Sequence, residues 1–230
     1  IVGDVTVERA TTLVQTYFGS WKKGMVPPRT VKKPAVVEKK IVQFIEKDLT
    51  QSTIVIGHPG ISRTNPDFYA VTVMNHVLGA GGFSSRLMDT IRDKQGLAYG
   101  ITSHYDARSM PGSFWINLQT RTETTNQAIN GVLAEMKAIR EAPVSDQELA
   151  DAKSFLMGSF PLRLDSTAKL AQVLAQVEFF GLGFDYFSQY QKWIERVTKE
   201  EVQRVAKQYL DHQHYALVVV GNIAKAKVRH

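Results

Sequence analysis

The sequence contains no cysteine among its 230 residues. This absence excludes disulfide bridges, cysteine nucleophiles and thiolate metal sites, although it does not select a cellular compartment. The chain also lacks an uninterrupted apolar run long enough to cross a bilayer, so we expect no membrane span. Its apolar fraction, 43% of all residues, is ordinary for a folded globular protein.

Positive charge is concentrated in one part of the chain. The formal net charge is +6, and much of the excess lies between Lys22 and Lys40, among several prolines. This composition favours a solvated linker, while a site for polyanions is the alternative. Because no basic stripe occurs outside this segment, we expect no nucleic-acid partner.

The two ends of the chain resemble each other. The chain opens with Ile-Val-Gly-Asp, and residues 218–222 read Val-Val-Val-Gly-Asn. A two-fold internal repeat that is cut at its boundary produces such a match. We therefore predict that residues 1–24 are the tail of a preceding half, residues 25–39 a linker rich in Pro and Lys, and residues 40–230 one complete domain.

Hydrophobic periodicity predicts the remaining elements. Strands are expected over 40–47, 51–58, 97–107, 113–120 and 215–220, and helices over 7–20, 65–78, 123–141, 166–181, 184–195 and 198–210, with another beginning at Ser145. The Pro111-Gly112 turn makes an antiparallel hairpin of the third and fourth strands. The predicted fold class is α+β, with a mixed, largely antiparallel sheet and helices packed on it.

Residues 79–99 carry the most informative pattern. A glycine cluster, residues 79–82, ends one helix, and Ser84 or Ser85 can cap the next. Phe83, Leu87 and Ile91 are spaced by four residues, which predicts one shared helix face. The cluster lacks the Gly-Lys-Ser/Thr ending of a phosphate-binding loop, so a helix stop and tight turn is favoured over a phosphate site.

The end of this segment brings two polar side chains together. Gly96 suits the left-handed position after the last helical turn, and a strand follows it. The turn at Gly96 then places Arg92 and Tyr99, seven residues apart, toward one surface.

This stretch resembles the second half of the pitrilysin and processing-peptidase group of zinc proteases. The matching residues are Ser85-Arg86-Leu87, then Arg92 followed by Gly96-Leu97-Ala98-Tyr99. The resemblance implies one half of a two-fold repeated clamshell. In that family the first half binds zinc through a His-x-x-Glu-His helix, and no such motif occurs here. We therefore expect no metal or cofactor on this chain and no peptidase activity by the chain alone. Zinc is expected on a partner half, which is either fused upstream or a separate subunit.

The resemblance also implies the roles of the candidate site residues. Arg92 and Tyr99 are expected to hydrogen-bond a peptide substrate and to support the tetrahedral intermediate at the zinc of the other half, because both side chains donate to an oxyanion. Gly81 and Gly82 are expected to let the substrate backbone approach closely. The structural alternatives are a cation at a helix end for Arg92 and a half-buried strand aromatic for Tyr99.

Three questions stay open at this point. His212 and His214 are placed to bind a metal weakly, but a solvated turn before the last strand is favoured. The chain is either the non-zinc half of a metalloendopeptidase or a non-catalytic scaffold subunit of the same family. The sequence does not choose between a periplasmic and a cytoplasmic location.

Overall fold

The computed structural model describes residues 1–27, 35 and 37–229. Of the predicted linker over 25–39, residues 28–34 and 36 lie outside the described residues. The division into a tail, a linker and a domain stays a prediction.

The described strands form one mixed sheet. They are β1 (Ile41–Glu46), β2 (Gln51–Pro59), β3 (Ala98–Asp106), β4 (Ser113–Arg121) and β5 (Ala216–Gly221). Their order across the sheet is β1-β5-β2-β4-β3. β1 and β5 pair in parallel, and all other neighbours pair antiparallel, including the predicted β3–β4 hairpin. The predicted α+β class with a largely antiparallel sheet is confirmed.

The helices follow the predicted order. The α-helices are α1 (Val7–Phe18), α2 (Phe68–Asn75), α3 (Thr125–Glu141), α4 (Asp146–Gly158), α5 (Thr167–Phe180), α6 (Tyr186–Glu195), α7 (Lys199–Tyr209) and the short α8 (Ile223–Ala226). Ser145 and Thr198 each head a capping box, in which a glutamate three residues later bonds back to the cap backbone.

One face of the sheet carries the core. Alternate residues of β2 and β4 are buried, as Ile54, Ile56, Ile116 and Leu118 are almost inaccessible to solvent. They pack together with buried residues of α2, α3 and α7 in a single core cluster. The intervening strand residues, such as Val55, are only partly buried because they lie on the opposite face.

Residues 76–97 differ from a simple pair of α-helices. After α2, the backbone continues as a π-helical turn, His76–Ala80, and a second π-helical segment spans Met88–Lys94. A 3₁₀ turn, Gly82–Ser84, separates them. The hydroxyls of Ser84 and Ser85 donate to the carbonyls of Gly81 and Gly82, at 2.9 Å and 2.7 Å, so neither serves as the predicted side-chain cap.

The predicted shared face of Phe83, Leu87 and Ile91 is wrong in one member. Leu87 and Ile91 are fully buried, but Phe83 is 73% exposed. Phe83 lies in the 3₁₀ turn before the helix begins, so helical periodicity does not apply to it.

Candidate functional site

The glycine cluster reverses the chain at the start of the candidate site. The backbone N–H of Gly81 donates to His76 O at 2.9 Å, which closes the π-helical turn. A Cβ atom at Gly81 would lie 2.8 Å from that same oxygen, so a larger residue does not fit there. Gly82 has a positive φ of 60°, a conformation that glycine adopts without strain. These two residues turn the chain so that the Phe83 ring faces solvent.

Arg86 fixes the next segment to helix α4. Its Nε and Nη2 atoms donate to Glu148 Oε1 and Oε2 at 2.5 Å and 2.8 Å. Glu148 also accepts the backbone N–H of Ser145 in the capping box of α4. These bonds, with the Arg86 guanidinium first, lower the pKa of Glu148 to about 2. One carboxylate thus joins the first turn of helix α4 to Arg86, which lies 62 residues earlier in the sequence.

Arg92 leaves the second π-helical segment near its end. Its Nη1 donates to Asp93 Oδ1 at 2.7 Å, and 30% of its side chain is exposed. The guanidinium carbon lies 5.0 Å from the centre of the Phe83 ring and 5.8 Å from the centre of the Tyr99 ring. Two aromatic rings thereby orient one cation, through a favourable cation–π geometry.

Gly96 and a β-bulge bring Tyr99 to the same surface. Gly96 has a φ of 61°, as predicted for this turn, and the chain then enters β3. Ala98 pairs with Thr120 and Ile101 with Leu118, so Tyr99 and Gly100 together oppose one residue of β4. Such a bulge turns a side chain out of the regular alternation. Tyr99 is 91% exposed, and the half-buried strand aromatic considered for it does not describe its position.

A surface cavity of about 460 Å³ adjoins these residues. Its lining includes Phe83, Tyr99 and Gly82, together with polar Thr53, Asn117 and Gln119 from the open side of the sheet. Gly81 does not line it. Because β3 is an edge strand, one side of its backbone has no strand neighbour in the described chain. The site therefore combines an edge strand, amide and hydroxyl groups, a guanidinium and an exposed phenol.

The sequence identified Arg92, Gly82 and Tyr99 at this site but missed Phe83. Its position after two glycines and before two serines was the available signal that it does not lie in a helix. The partnership of Arg86 with Glu148 was also missed, because no local pattern connects residues 62 positions apart.

His58 and His214 hydrogen-bond to neighbouring protein groups. Within the described ranges, no three His, Asp, Glu or Cys side chains are grouped to hold a metal ion. His214 Nδ1 pairs with Asp211 Oδ2 at 2.9 Å, in a turn where Asp211 also accepts two backbone N–H groups. Burial lowers the pKa of His58, whose Nε2 accepts the backbone N–H of Asp211. In the part of the chain that is described, none of the helices has the length and apolar character to traverse a bilayer.

Comparisons with known proteins agree on one family. A family model described as the peptidase M16 inactive domain matches residues 1–156. A Helicobacter pylori protein named non-peptidase homolog YmxG is 29% identical over 191 residues, which cover 83% of this chain and 44% of that protein. A Streptomyces coelicolor protein named uncharacterized zinc protease SCO5738 is 29% identical over 181 residues, covering 78% and 39%.

A solved structure agrees in fold. The crystal structure of a peptidase M16 inactive domain from Pseudomonas fluorescens matches with a TM-score of 0.86 and 29% identity, and it covers 95% of this chain and 52% of that one. The present chain thus spans about half the length of the proteins that it matches. From the motif, the fold and these matches together, the chain belongs to the M16 (pitrilysin-type) peptidase family and corresponds to its inactive domain.

Proposed function

We propose that this chain is the half of an M16 metalloendopeptidase that binds no zinc, and that it closes over a peptide at the zinc site of another half. The observation that supports this most directly is the convergence of Arg92 and Tyr99 on one exposed surface beside the edge strand β3. A peptide in extended form adds to such an edge through main-chain hydrogen bonds.

The two side chains have complementary roles in this proposal. Arg92 presents several N–H donors in a fixed plane, and only one of them is bound to Asp93. The Tyr99 phenol donates a single proton from a position that is almost fully exposed. Placed near a zinc-bound carbonyl, both groups donate to the oxygen that becomes negative in the tetrahedral intermediate.

Gly81 and Gly82 contribute through the backbone. The turn that they form places Gly82 and Phe83 in the wall of the cavity. We propose that this turn lies against the substrate main chain, with Gly82 next to it and Gly81 shaping the reversal.

The domain arrangement follows from the same proposal. Residues 1–24 form the tail of a preceding half, residues 25–39 the linker and residues 40–230 the domain that carries Arg92 and Tyr99. Helix α1 supports this arrangement, since none of its residues is buried against the rest of the chain. The zinc-bearing half is either joined upstream or a separate chain.

The proposal is tested by pairing. The chain is mixed with a zinc-bearing M16 half that contains His-x-x-Glu-His, and complex formation is followed by size-exclusion chromatography. Cleavage of a quenched fluorescent peptide is then measured for each half and for the complex. We expect cleavage by the complex and none by this chain alone. A stable complex with no more activity than the zinc-bearing half would contradict the proposal.

The second candidate is a non-catalytic scaffold subunit. It is favoured by the name of the Helicobacter pylori relative, which describes a non-peptidase homolog. The two functions differ in what Arg92 and Tyr99 do. A scaffold assembles equally well and with the same activity after either residue is replaced, whereas the proposed half loses activity.

A further inference from the structure

A small cavity of about 140 Å³ lies among helices α2, α5 and α6. It shares no lining residue with the cavity beside Tyr99. Much of its wall is apolar, from Phe68, Val173, Val177 and Leu182. Its polar members are Arg63, Arg163, Thr72 and Gln176, and a tyrosine borders it. The proposed function uses none of them.

The two arginines lie against aromatic rings. The guanidinium carbon of Arg63 is 3.8 Å from the centre of the Phe68 ring, and that of Arg163 is 5.6 Å from the centre of the Tyr190 ring. Among the described residues, neither arginine forms an ion pair. Two cations therefore border one apolar cavity without a neutralising carboxylate.

The tyrosine is Tyr190, on helix α6. Only 2% of its surface is exposed, and its buried hydroxyl has no hydrogen-bond acceptor among the described residues. Its ring stacks on Phe160 at 4.1 Å between centres, nearly in parallel, so the hydroxyl has a fixed position. A buried hydroxyl normally has a partner, because leaving it unpaired destabilises the fold.

We propose that this cavity binds a carboxylate carried on a short apolar group. Arg63 and Arg163 donate to the carboxylate oxygens, the Tyr190 hydroxyl donates to one of them, and the apolar wall receives the carbon chain. A planar guanidinium matches a carboxylate in geometry as well as charge. Arg163 is exposed, so its side chain can turn outward to admit the ligand and then close on it.

Aromatic stacking alone is the competing explanation. Cation–π contact accounts for the position of both guanidinium groups on the rings. It leaves the Tyr190 hydroxyl without an acceptor and the half-buried Arg63 without a counter-ion. The carboxylate supplies an acceptor and a negative charge at one place, and the two explanations differ in whether the cavity takes up a ligand.

Trp193 provides the readout. Its ring lies 6.0 Å from that of Tyr186, which lines the cavity. The chain has three tryptophans, so the readout uses the full chain with Trp21→Phe and Trp115→Phe, in which Trp193 is the remaining tryptophan. Its fluorescence is titrated with sodium hexanoate and, as the uncharged match, with 1-hexanol. We expect saturable binding of hexanoate and at least tenfold weaker binding of hexanol. Equal responses to both, or no saturable response to hexanoate, would overturn the proposal. Binding of inorganic phosphate to this cavity as tightly as hexanoate would also overturn the proposal.

Three variants separate a binding site from a structural stack. Arg163→Gln and Tyr190→Phe are expected to weaken hexanoate binding at least tenfold. Arg196→Gln, which alters an exposed arginine at the end of the same helix, is the matched control and should bind as the unaltered chain. Tyr190→Phe should also raise the melting temperature, because it removes a buried hydroxyl that has no partner. Unchanged binding by Arg163→Gln and Tyr190→Phe would overturn the assignment.

The carboxylate has two sources, a free short-chain acid or the C-terminus of a peptide. If N-acetyl-leucine binds and N-acetyl-leucinamide does not, the natural ligand is the C-terminus of a peptide. If hexanoate alone binds, the ligand is a free acid. All titrations use this chain without a zinc-bearing half. Their failure therefore leaves the proposed function of Arg92 and Tyr99 untouched, and Tyr99→Phe should bind hexanoate normally.

Discussion

Arg92 and Tyr99 share a surface, but different interactions position them. Arg92 contacts the Phe83 ring and pairs with Asp93, so its position depends on its neighbours. Tyr99 is set by the backbone of the bulge and is 91% exposed. A change in the phenol therefore leaves packing almost untouched, which makes Tyr99 the cleaner test of a catalytic role.

Tyr99→Phe tests that role. In complex with a zinc-bearing half, we expect kcat/KM for peptide cleavage to fall about 10²-fold, as for the loss of one oxyanion donor. The melting temperature should stay the same, because the lost hydroxyl is at the surface. Ser109→Ala, which also removes one exposed hydroxyl, is the control. If both variants cleave at the rate of the unaltered complex, Tyr99 has no part in the reaction.

Glu148 gives a prediction about pH. Its pKa is about 2 in the folded chain against 4.5 for the free side chain, so its carboxylate stabilises the fold above pH 4.5. We expect Glu148→Gln to lower the free energy of unfolding by about 2 kcal/mol at pH 7, since it weakens charged hydrogen bonds to Arg86 and to a cap. The difference should shrink as pH falls from 4.5 toward 2, where the native carboxylate also becomes protonated.

Urea unfolding at several pH values measures this difference. Glu141→Gln is the matched control, because Glu141 pairs with Lys137 at 3.6 Å on an exposed helix surface and such pairs contribute little. A difference between Glu148→Gln and the unaltered chain that is as large at pH 2.5 as at pH 7 would contradict the assignment to the ionised carboxylate.

At the scale of elements, local signals were the reliable ones. The Pro111-Gly112 hairpin and the Ser145 and Thr198 caps were predictable because each depends on a few adjacent residues. The parallel pairing of β1 with β5 joins segments about 175 residues apart, such as Ile41 with Ala216, and no local pattern indicates it.

The candidate site shows the same division. The convergence of Arg92 and Tyr99 was predictable because a single turn at Gly96 connects them. The exposure of Phe83 was not, since a regular α-helix was assumed across residues that form a 3₁₀ turn and a π-helical segment. π-helical segments often occur at functional sites, where they displace a side chain from its regular position.

The turn at Gly96 is the element whose backbone can be tested directly. Its φ is 61°, and a β-branched residue resists a positive φ. We expect Gly96→Val to lower the free energy of unfolding by about 1–3 kcal/mol. A Cβ there meets no atom within 4 Å, so the destabilisation comes from the backbone alone.

Gly100→Val is the matched control for this turn. Gly100 also has open space around it, but its φ is not positive. Thermal unfolding should therefore distinguish the two variants, with only Gly96→Val losing stability. Equal melting temperatures would mean that the turn accepts a left-handed valine without strain.

At the scale of the whole molecule, two apolar surfaces have no cover from the residues that the structure describes. The face of the sheet opposite the core carries Val55, Val218 and Val220, which are only partly buried. Helix α1 has no buried residue, yet Tyr17 and Phe18 lie on one side of it with Leu13 and Val14. Uncovered apolar surfaces of this kind are typical of interfaces with another body. A half that is separated from its partner has such surfaces.

Removing the apolar side chains of α1 tests this view of the molecule. Tyr17→Ser combined with Phe18→Ser should leave the melting temperature of this chain unchanged, because both side chains are exposed and the aromatic contact of Phe18 is with Trp21, which is exposed as well. Binding to the zinc-bearing half should weaken at least tenfold, since burying each large apolar side chain contributes about 1.5–3 kcal/mol. Thr12→Ser combined with Gln15→Ser, on the opposite side of α1, is the control. A lower melting temperature with unchanged affinity would instead place α1 against this domain.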